Sequence, residues 1–391
     1  MTDSVYWQNQ AGSFQFEKEG HKMRGRTVLV AGATGVVGHA ALEAFAASGE
    51  WNVIALSRRA PDLQGLQDPK GRQRVRHLSV DLTDAQACQA AVASMPGITH
   101  LAYAALHEKP GLVRGWREPD QMQTNLLMLR NLLDPLAAAG TLEHVAVLQG
   151  TKAYGVHLHP IAVPAQERWP RDDHENFYWL QEDLVRERAA RDGFGFTIFR
   201  PQLVFGDALG VAMNLAPILG IHAALCKEAG EPFCYPGGPS NILEATDARL
   251  IARAIRWCFD APTARNETFN LTNGDVFVWR NLWPELAEAL GVAHGADAPR
   301  SMARWLPTQA QAWQRLALRH GLVQPDLGVL LGESHHYADF CFGFHARETP
   351  PPVIVSTIKI RQAGFADCVD TGAMFRHWFE RLRARKVLPA L

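Results

Sequence analysis

The sequence predicts an α/β protein with a doubly wound parallel sheet, followed by a smaller, mostly helical C-terminal lobe. Three observations lead to this prediction. Short apolar runs alternate with helical stretches between residues 27 and 148, a glycine-rich turn follows the first run, and the pattern becomes helical and irregular after residue 206. Strands that alternate with helices at this interval form parallel sheets with both faces covered.

The first element is a strand, a tight turn and a helix within residues 27–47, TVLVAGATGVVGHAALEAFAA. Its glycines follow the spacing GxxGxxG: the first allows the turn, the second lets the backbone approach a pyrophosphate, and the third lets the helix lie close to the strand. Free N–H groups at the helix start favour an anion. A plain strand-to-helix turn is the alternative. The expected cofactor contacts in this turn are Gly32, Thr34, Gly35, Val36, Val37 and Gly38.

The second strand, residues 51–56, ends in Ser57-Arg58-Arg59. In a doubly wound fold, the end of the second strand lies next to the adenosine ribose of a bound dinucleotide. A carboxylate there bonds the 2′-hydroxyl and indicates NAD, whereas an arginine accommodates the 2′-phosphate of NADP. The guanidinium group matches phosphate geometry. The two arginines therefore predict NADP(H), and two solvated surface arginines are the alternative.

The later strands complete the predicted Rossmann sheet. We expect strands at residues 75–80, 100–105 and 144–148, and helices at 86–94 and 123–139. Asp81 and Leu82 follow the third strand and are placed to meet the adenine, although Asp81 could instead cap the next helix. Ligands lie beyond the carboxyl ends of such strands. Further expected cofactor contacts are Tyr103, Ala104, Gln149, Tyr178, Pro201 and Val204.

Composition limits the class of partner. Of 391 residues 47% are hydrophobic, which suffices for a large core, and 39 Lys and Arg balance 40 Asp and Glu. We therefore expect a cytoplasmic protein without nucleic-acid or membrane partners. Six cysteines are scattered without zinc-site spacing, and no HExxH motif occurs, so we expect reduced thiols and no metal. Residues 1–24 are interpreted as a leader, 25–206 as the nucleotide domain and 207–391 as the substrate lobe, with 266–277 returning to the sheet.

The candidate catalytic pair is Tyr178 with Lys152. Short-chain dehydrogenases usually carry a lysine four residues after the helix tyrosine, but this position is Glu182. Lys152, at the end of the neighbouring fifth strand, offers a cation instead. The alternative is an ordinary buried tyrosine and a surface lysine.

These stretches resemble the progesterone 5β-reductase and iridoid synthase family of atypical short-chain dehydrogenases. The family carries a GxKxY-like loop and an NFYYxxED motif, and this chain has GTKAY at 150–154 and NFYWLQED at 176–183. Segments at 199–206, 213–215, 223–227, 266–277 and 377–389 are similar to further family motifs. The resemblance runs from about residue 26 to 389.

The resemblance implies NADPH-dependent 1,4-reduction of α,β-unsaturated carbonyl compounds. Tyr178 would donate to the oxygen on which enolate charge develops, and Lys152 would orient the phenol or the ribose. The chain also departs from the family, with Trp179, Leu203 and Leu106 where Tyr, Asn and Trp are expected, so the family's steroid or iridoid specificity is not carried over. The expected substrate pocket consists of Leu106, Leu158, Leu203, Met213 and Tyr337, and packing between the lobes is the alternative for Leu158 and Tyr337.

Three other functions stay open at this point. A carbonyl reductase and a sugar-nucleotide epimerase share the fold, and a redox sensor could bind NADP without turning it over. The absence of a lysine four residues after Tyr178 and of a basic sugar-nucleotide clamp counts against the epimerase. The sequence leaves the oligomeric state open, including a homodimer.

Overall fold

The computed structural model describes residues 25–63, 65–66 and 68–390. The predicted leader, residues 1–24, lies outside the described residues. Within them no helix combines the length and the apolar composition needed to cross a bilayer.

A seven-stranded, fully parallel sheet forms the centre of the molecule, in the order β3-β2-β1-β4-β5-β6-β9, and β7 pairs separately with β8. The predicted fold class is confirmed. The order reverses between β1 and β4, and in open sheets ligands bind at such a switch point. The strands are Thr27–Ala31 (β1), Asn52–Ser57 (β2), Val75–Ser79 (β3), His100–Tyr103 (β4), His144–Leu148 (β5), Gly195–Pro201 (β6), Val204–Phe205 (β7), Thr246–Asp247 (β8) and Glu267–Leu271 (β9).

Helices cover both faces of the sheet and build most of the second half of the chain. They are Val36–Ser48 (α1), Pro69–Arg72 (α2), Ala85–Ala93 (α3), Pro119–Ala138 (α4), Phe177–Asp192 (α5), Leu215–Ala229 (α6), Ala248–Asp260 (α7), Trp279–Leu290 (α8), Met302–Thr308 (α9), Ala310–His320 (α10), Leu327–Leu331 (α11), Ser334–Cys341 (α12), Ile358–Gln362 (α13) and Thr371–Ala384 (α14).

Alternate residues of the central strands enter two separate cores. On β1, Val28 and Val30 join a large core that contains α1, α7 and the C-terminal helices, whereas Leu29 and Ala31 join a second core with α3, α4 and α5. Side chains of a strand point alternately to opposite faces. Helices therefore cover both faces of the sheet, as is usual for a parallel sheet.

Two helices of the second half of the chain, α9 and α10, meet at Gln309. Pro307 lies in the last turn of α9. The structure also contains β6, α6 and α7, for which no element was predicted from the sequence pattern.

A buried carboxylate, Asp207, ties the end of the chain to the nucleotide half. His39 Nδ1 on α1 lies 3.2 Å from Asp207 Oδ1, Arg385 contacts the same carboxylate at 2.8 Å, and Arg381 on α14 also donates to it. Burial opposes ionisation, but these cationic neighbours hold the pKa of Asp207 well below its usual range. Arg381 also donates to the backbone oxygen of Gly65, in the segment after β2.

Candidate active site

A cleft of about 1500 Å³ lies along the carboxyl ends of the strands. Its walls come from the turns after β1, β2, β3, β4 and β5 and, opposite them, from residues 210–213 and α12. The sheet thus supplies one side of the cleft, and the helical half of the chain covers the other.

The glycine turn is shaped by close backbone approach. Gly32 has φ of +82°, and a Cβ added there would lie 2.7 Å from the backbone of Ala104. A Cβ on Gly38 would lie 2.1 Å from the oxygen of Gly32, so no larger residue fits between helix and turn. Gly35 caps α1 without a side-chain hydrogen bond, which leaves the first N–H groups of the helix available to an anion.

The turn after β2 presents two arginines to the cleft. The Ser57 hydroxyl donates to the backbone oxygen of Arg59 at 2.7 Å, and the Ser79 hydroxyl donates to that of Arg58 at 2.9 Å. Both arginines line the cleft, and neither forms an ion pair with a described residue. The backbone is thus fixed while both guanidinium groups are available to a ligand.

Asp81 lines the cleft next to Leu82. The suggestion that Asp81 caps the following helix is wrong. Asp84 caps α3, accepting from the N–H groups of Gln86 and Ala87, whereas Asp81 accepts from the backbone and hydroxyl of Thr83 at 2.9 and 2.8 Å. These two hydrogen bonds lower the pKa of the Asp81 carboxyl.

Tyr178 and Lys152 lie in the same cleft, on different elements. Tyr178 stands in the first turn of α5, and Lys152 in a short 3₁₀ turn after β5. Asn176 joins them, because its side chain accepts from the Tyr178 N–H at 3.0 Å and donates to the Lys152 oxygen at 3.4 Å. The Lys152 ammonium lies 5.9 Å from the centre of the Tyr178 ring.

Space for the phenol is made by Gly150. A Cβ at Gly150 would lie 3.2 Å from the Tyr178 hydroxyl, which is tighter than ordinary contact. The hydroxyl makes no hydrogen bond to any residue in the described part of the chain, and burial raises the pKa of the phenol. Tyr178 is therefore a protonated donor at neutral pH, without a protein acceptor.

Glu182 occupies the position four residues after Tyr178, where short-chain dehydrogenases usually carry a lysine, but it belongs to a buried hydrogen-bond network. Its carboxylate accepts from Gln149 Nε2 at 2.9 Å and lies 3.5 Å from Arg200, whose Nε donates to Gln149 Oε1 at 2.8 Å. This buried network holds Gln149 at the cleft wall. Glu182 therefore stabilises the end of β5 and does not face the cleft.

Two residues that sequence reasoning missed complete the surroundings of Lys152. The ammonium lies 4.0 Å from the centre of the Trp116 ring and 3.9 Å from Glu108 Oε1. Both residues belong to the segment between β4 and α4, which crosses the cleft and contacts α12 through the Trp116 and Phe340 rings, 5.5 Å apart. A lone acid and a lone tryptophan in a connecting segment carry no sequence signal of this arrangement.

Four of the five residues predicted for the substrate pocket line the cleft. Leu106, Leu203, Met213 and Tyr337 line the cleft. Leu158 does not: it lies in the turn after Gly155 and is 39% exposed, while its neighbours His157 and His159 line the cleft. The prediction for Leu158 is wrong because this turn directs its side chain towards solvent.

Leu203 adopts an unusual backbone conformation for its type. Its φ is +24°, in a range that residues other than Gly, Asn and Asp rarely adopt. Such strain is often found at functional sites.

The predicted cofactor residues also lie together. Gly38 is the exception, since it packs behind the turn instead of lining the cleft. Those that line the cleft are Gly32, Thr34, Gly35, Val36, Val37, Ser57, Arg58, Arg59, Asp81, Leu82, Tyr103, Ala104, Gln149, Tyr178, Pro201 and Val204.

The sheet and its glycine turn are matched by a known family. The model described as the NAD dependent epimerase/dehydratase family matches residues 28–271. The chain belongs to this family. The match covers the strands from β1 to β9 and the turns that line the cleft.

Two relatives that match most of the chain are named as an enol synthase and a steroid reductase. An (S)-8-oxocitronellyl enol synthase of Antirrhinum majus is 28% identical over 380 residues, which is 92% of each chain. A 3-oxo-Δ(4,5)-steroid 5β-reductase of Arabidopsis thaliana is also 28% identical, over 384 residues and 92% of each chain. The resemblance predicted from the sequence motifs is confirmed.

Solved structures of two epimerases share the fold. The UDP-glucose 4-epimerase of Thermotoga maritima superposes with a TM-score of 0.63 at 15% identity, covering 92% of this chain and 99% of its own. That of Thermus thermophilus, solved with NAD, gives 0.60 at 17% identity over 92% and 99%. At such identities the similarity concerns the fold.

Proposed function

We propose that this protein is an NADPH-dependent reductase of α,β-unsaturated carbonyl compounds that catalyses 1,4-addition of hydride. The name of one relative, a steroid 5β-reductase, supports a reduction, and that of the other, an enol synthase, supports an enol or enolate product. The observation that carries the proposal is the convergence of a protonated phenol and an ammonium in one cleft, on Tyr178 and Lys152, beside a dinucleotide-type glycine turn.

Three features support NADP(H) as the cofactor. The turn at Gly32 and Gly38 leaves no space for side chains, and the start of α1 offers uncapped N–H groups to a pyrophosphate. Arg58 and Arg59 line the cleft and form no ion pair with a described residue, so their guanidinium groups suit a 2′-phosphate. When bound, this cofactor would supply the hydride.

Tyr178 is suited to stabilise an enolate. When the β-carbon of an enone accepts a hydride, negative charge develops on the carbonyl oxygen, and a donor must already point towards it. The Tyr178 phenol is buried and has no described protein acceptor, so it can donate to that oxygen. The Lys152 ammonium adds a positive field at the same point.

A panel of substrates tests the proposal. NADPH consumption is measured with small enones, enals and steroid enones, and product analysis separates reduction of C=C from reduction of C=O. We expect saturated carbonyl products. Reduction of ketones alone would make the protein a carbonyl reductase, and binding of NADPH without turnover across the panel would favour a redox sensor.

A further inference from the structure

Glu108 is a buried acid that the reaction described above does not use. It follows β4 at the carboxyl end of the sheet, and its side chain is only 4% exposed. Its Oε1 lies 3.9 Å from the Lys152 ammonium, and the Trp116 side chain also acts on this carboxyl. Oε1 is thus the oxygen that faces the cation.

The other carboxylate oxygen of Glu108, Oε2, accepts a hydrogen bond from a buried glutamine. Gln121 Nε2 on α4 donates to Glu108 Oε2 at 2.7 Å, and Gln121 Oε1 accepts from the backbone N–H of Lys109 at 3.0 Å. Gln121 is itself almost fully buried. One glutamine therefore fixes both the carboxylate and the segment that carries it, so the position of Glu108 is defined by the fold.

Glu108 is the charged group that opposes the effect of burial on Lys152. Burial raises the pKa of the Glu108 carboxyl as well, and Lys152, Gln121 and Trp116 oppose that rise. Burial lowers the pKa of Lys152 to about 8, and Glu108 opposes this shift. The other titratable neighbours are neutral near pH 7. Burial lowers the pKa of His157 to about 4, and burial raises the phenol pKa values of Tyr178 and Tyr337.

We propose that Glu108 is a positioning residue for Lys152, holding its ammonium between the rings of Trp116 and Tyr178 and keeping it charged during turnover. A buried ammonium without a counter-ion loses its proton readily. The assignment rests on the proposed reductase function, in which Lys152 must be charged when the enolate forms.

Direct titration of Lys152 tests the pairing without turnover. Competitive labelling with acetic anhydride between pH 6 and 11, read by mass spectrometry of the Lys152 peptide, gives the midpoint at which the amine becomes reactive. In Glu108→Gln we expect the midpoint to fall by roughly one unit or more, since an opposite charge at this distance shifts a pKa by about that amount. In Glu108→Asp the charge is kept, and we expect a smaller fall.

The matched control is Glu244→Gln, the same change at a buried glutamate that does not line the cleft. It should leave the Lys152 midpoint unchanged. If Glu108→Gln does not fold, Gln121→Leu replaces it, because it releases the carboxylate from its anchor. An unchanged midpoint in a folded Glu108→Gln, or in Gln121→Leu, would overturn the proposal.

The pH profile of kcat/KM for enone reduction gives the second measurement. The alkaline limb should move to lower pH in Glu108→Gln by the same interval as the labelling midpoint, with KM for NADPH unchanged. A uniform loss of kcat at every pH would overturn the positioning role. If the unmutated protein reduces no enone, the proposed function fails, and the labelling result still decides whether Glu108 controls Lys152.

Discussion

The ammonium of Lys152 lies 4.0 Å from the centre of the Trp116 ring. A cation–π contact of this kind contributes roughly 0.5–2 kcal/mol. If it holds the ammonium in place, Trp116→Leu should lower kcat/KM for enones about 2- to 30-fold, while Trp116→Phe, which keeps an aromatic face, should retain most activity. Steady-state kinetics with both variants decide this. Equal losses accompanied by equal decreases in Tm would mean that Trp116 only fills space.

Cofactor preference should depend on the two arginines after β2. A charge-assisted hydrogen bond contributes about 1.5–3 kcal/mol, so Arg58→Ala or Arg59→Ala should raise the KM for NADPH roughly 10- to 150-fold and leave that for NADH nearly unchanged. Arg130→Ala, at an exposed position of α4 outside the cleft, is the control. Equal KM values for NADPH and NADH in the unmutated protein would refute the preference.

Removal of the Tyr178 hydroxyl should affect the chemical step. Loss of one oxyanion donor commonly costs about 10²–10³ in kcat, and because the donor matters chiefly after charge develops, KM should change little in Tyr178→Phe. Tyr154→Phe is the matched control, since that phenol bonds to Asn270 at 2.7 Å and does not line the cleft. Full activity of Tyr178→Phe would exclude the assigned role.

Tyr337 should limit the size of the substrate. It lies on α12, lines the cleft and is almost fully buried. Since a close-packed wall cannot accept the volume of another ring without strain, Tyr337→Ala should raise kcat/KM for bulky enones relative to small ones, with NADPH affinity unchanged. Leu158→Ala should not change this ratio. A uniform loss with lower Tm would assign Tyr337 to the core.

Stability should depend on the ionisation of Glu244. Burial raises its pKa to about 7, above that of an unfolded glutamate. The folded state therefore binds a proton more strongly, so the free energy of unfolding decreases as pH rises from about 4.5 to 7. Glu244→Gln should remove this decrease, on the order of 3 kcal/mol, in urea unfolding at pH 5 and pH 8. Glu175→Gln, at an exposed site, should retain it, and parallel profiles for all three proteins would contradict the assignment.

The nucleotide side of the site could be predicted because its signals are local. Buried parallel strands are apolar runs in sequence, and the glycine turn combines three positions within seven residues. No strand was predicted at β6, although all seven of its residues are buried. The helix α7 did carry a signal, with apolar residues at helical spacing on one face.

The substrate side could be predicted only in part, since it depends on how distant segments meet. Glu108 and Trp116 gain their positions from the path of the segment between β4 and α4 and from its contact with α12. Leu158 was misplaced because a turn of a few residues decides whether a side chain faces the cleft or solvent. Neither outcome is specified by residue type alone.

The buried carboxylate of Asp207 contacts residues from both ends of the described chain, which matters during protein synthesis. The carboxylate contacts α1, the helix that begins at the glycine turn, but two of its cationic partners lie at Arg381 and Arg385, which leave the ribosome hundreds of residues after α1. A buried carboxylate that lacks its cations is strongly destabilising. The buried network around Asp207 therefore cannot be completed before the C-terminal segment with Arg381 and Arg385 has been translated.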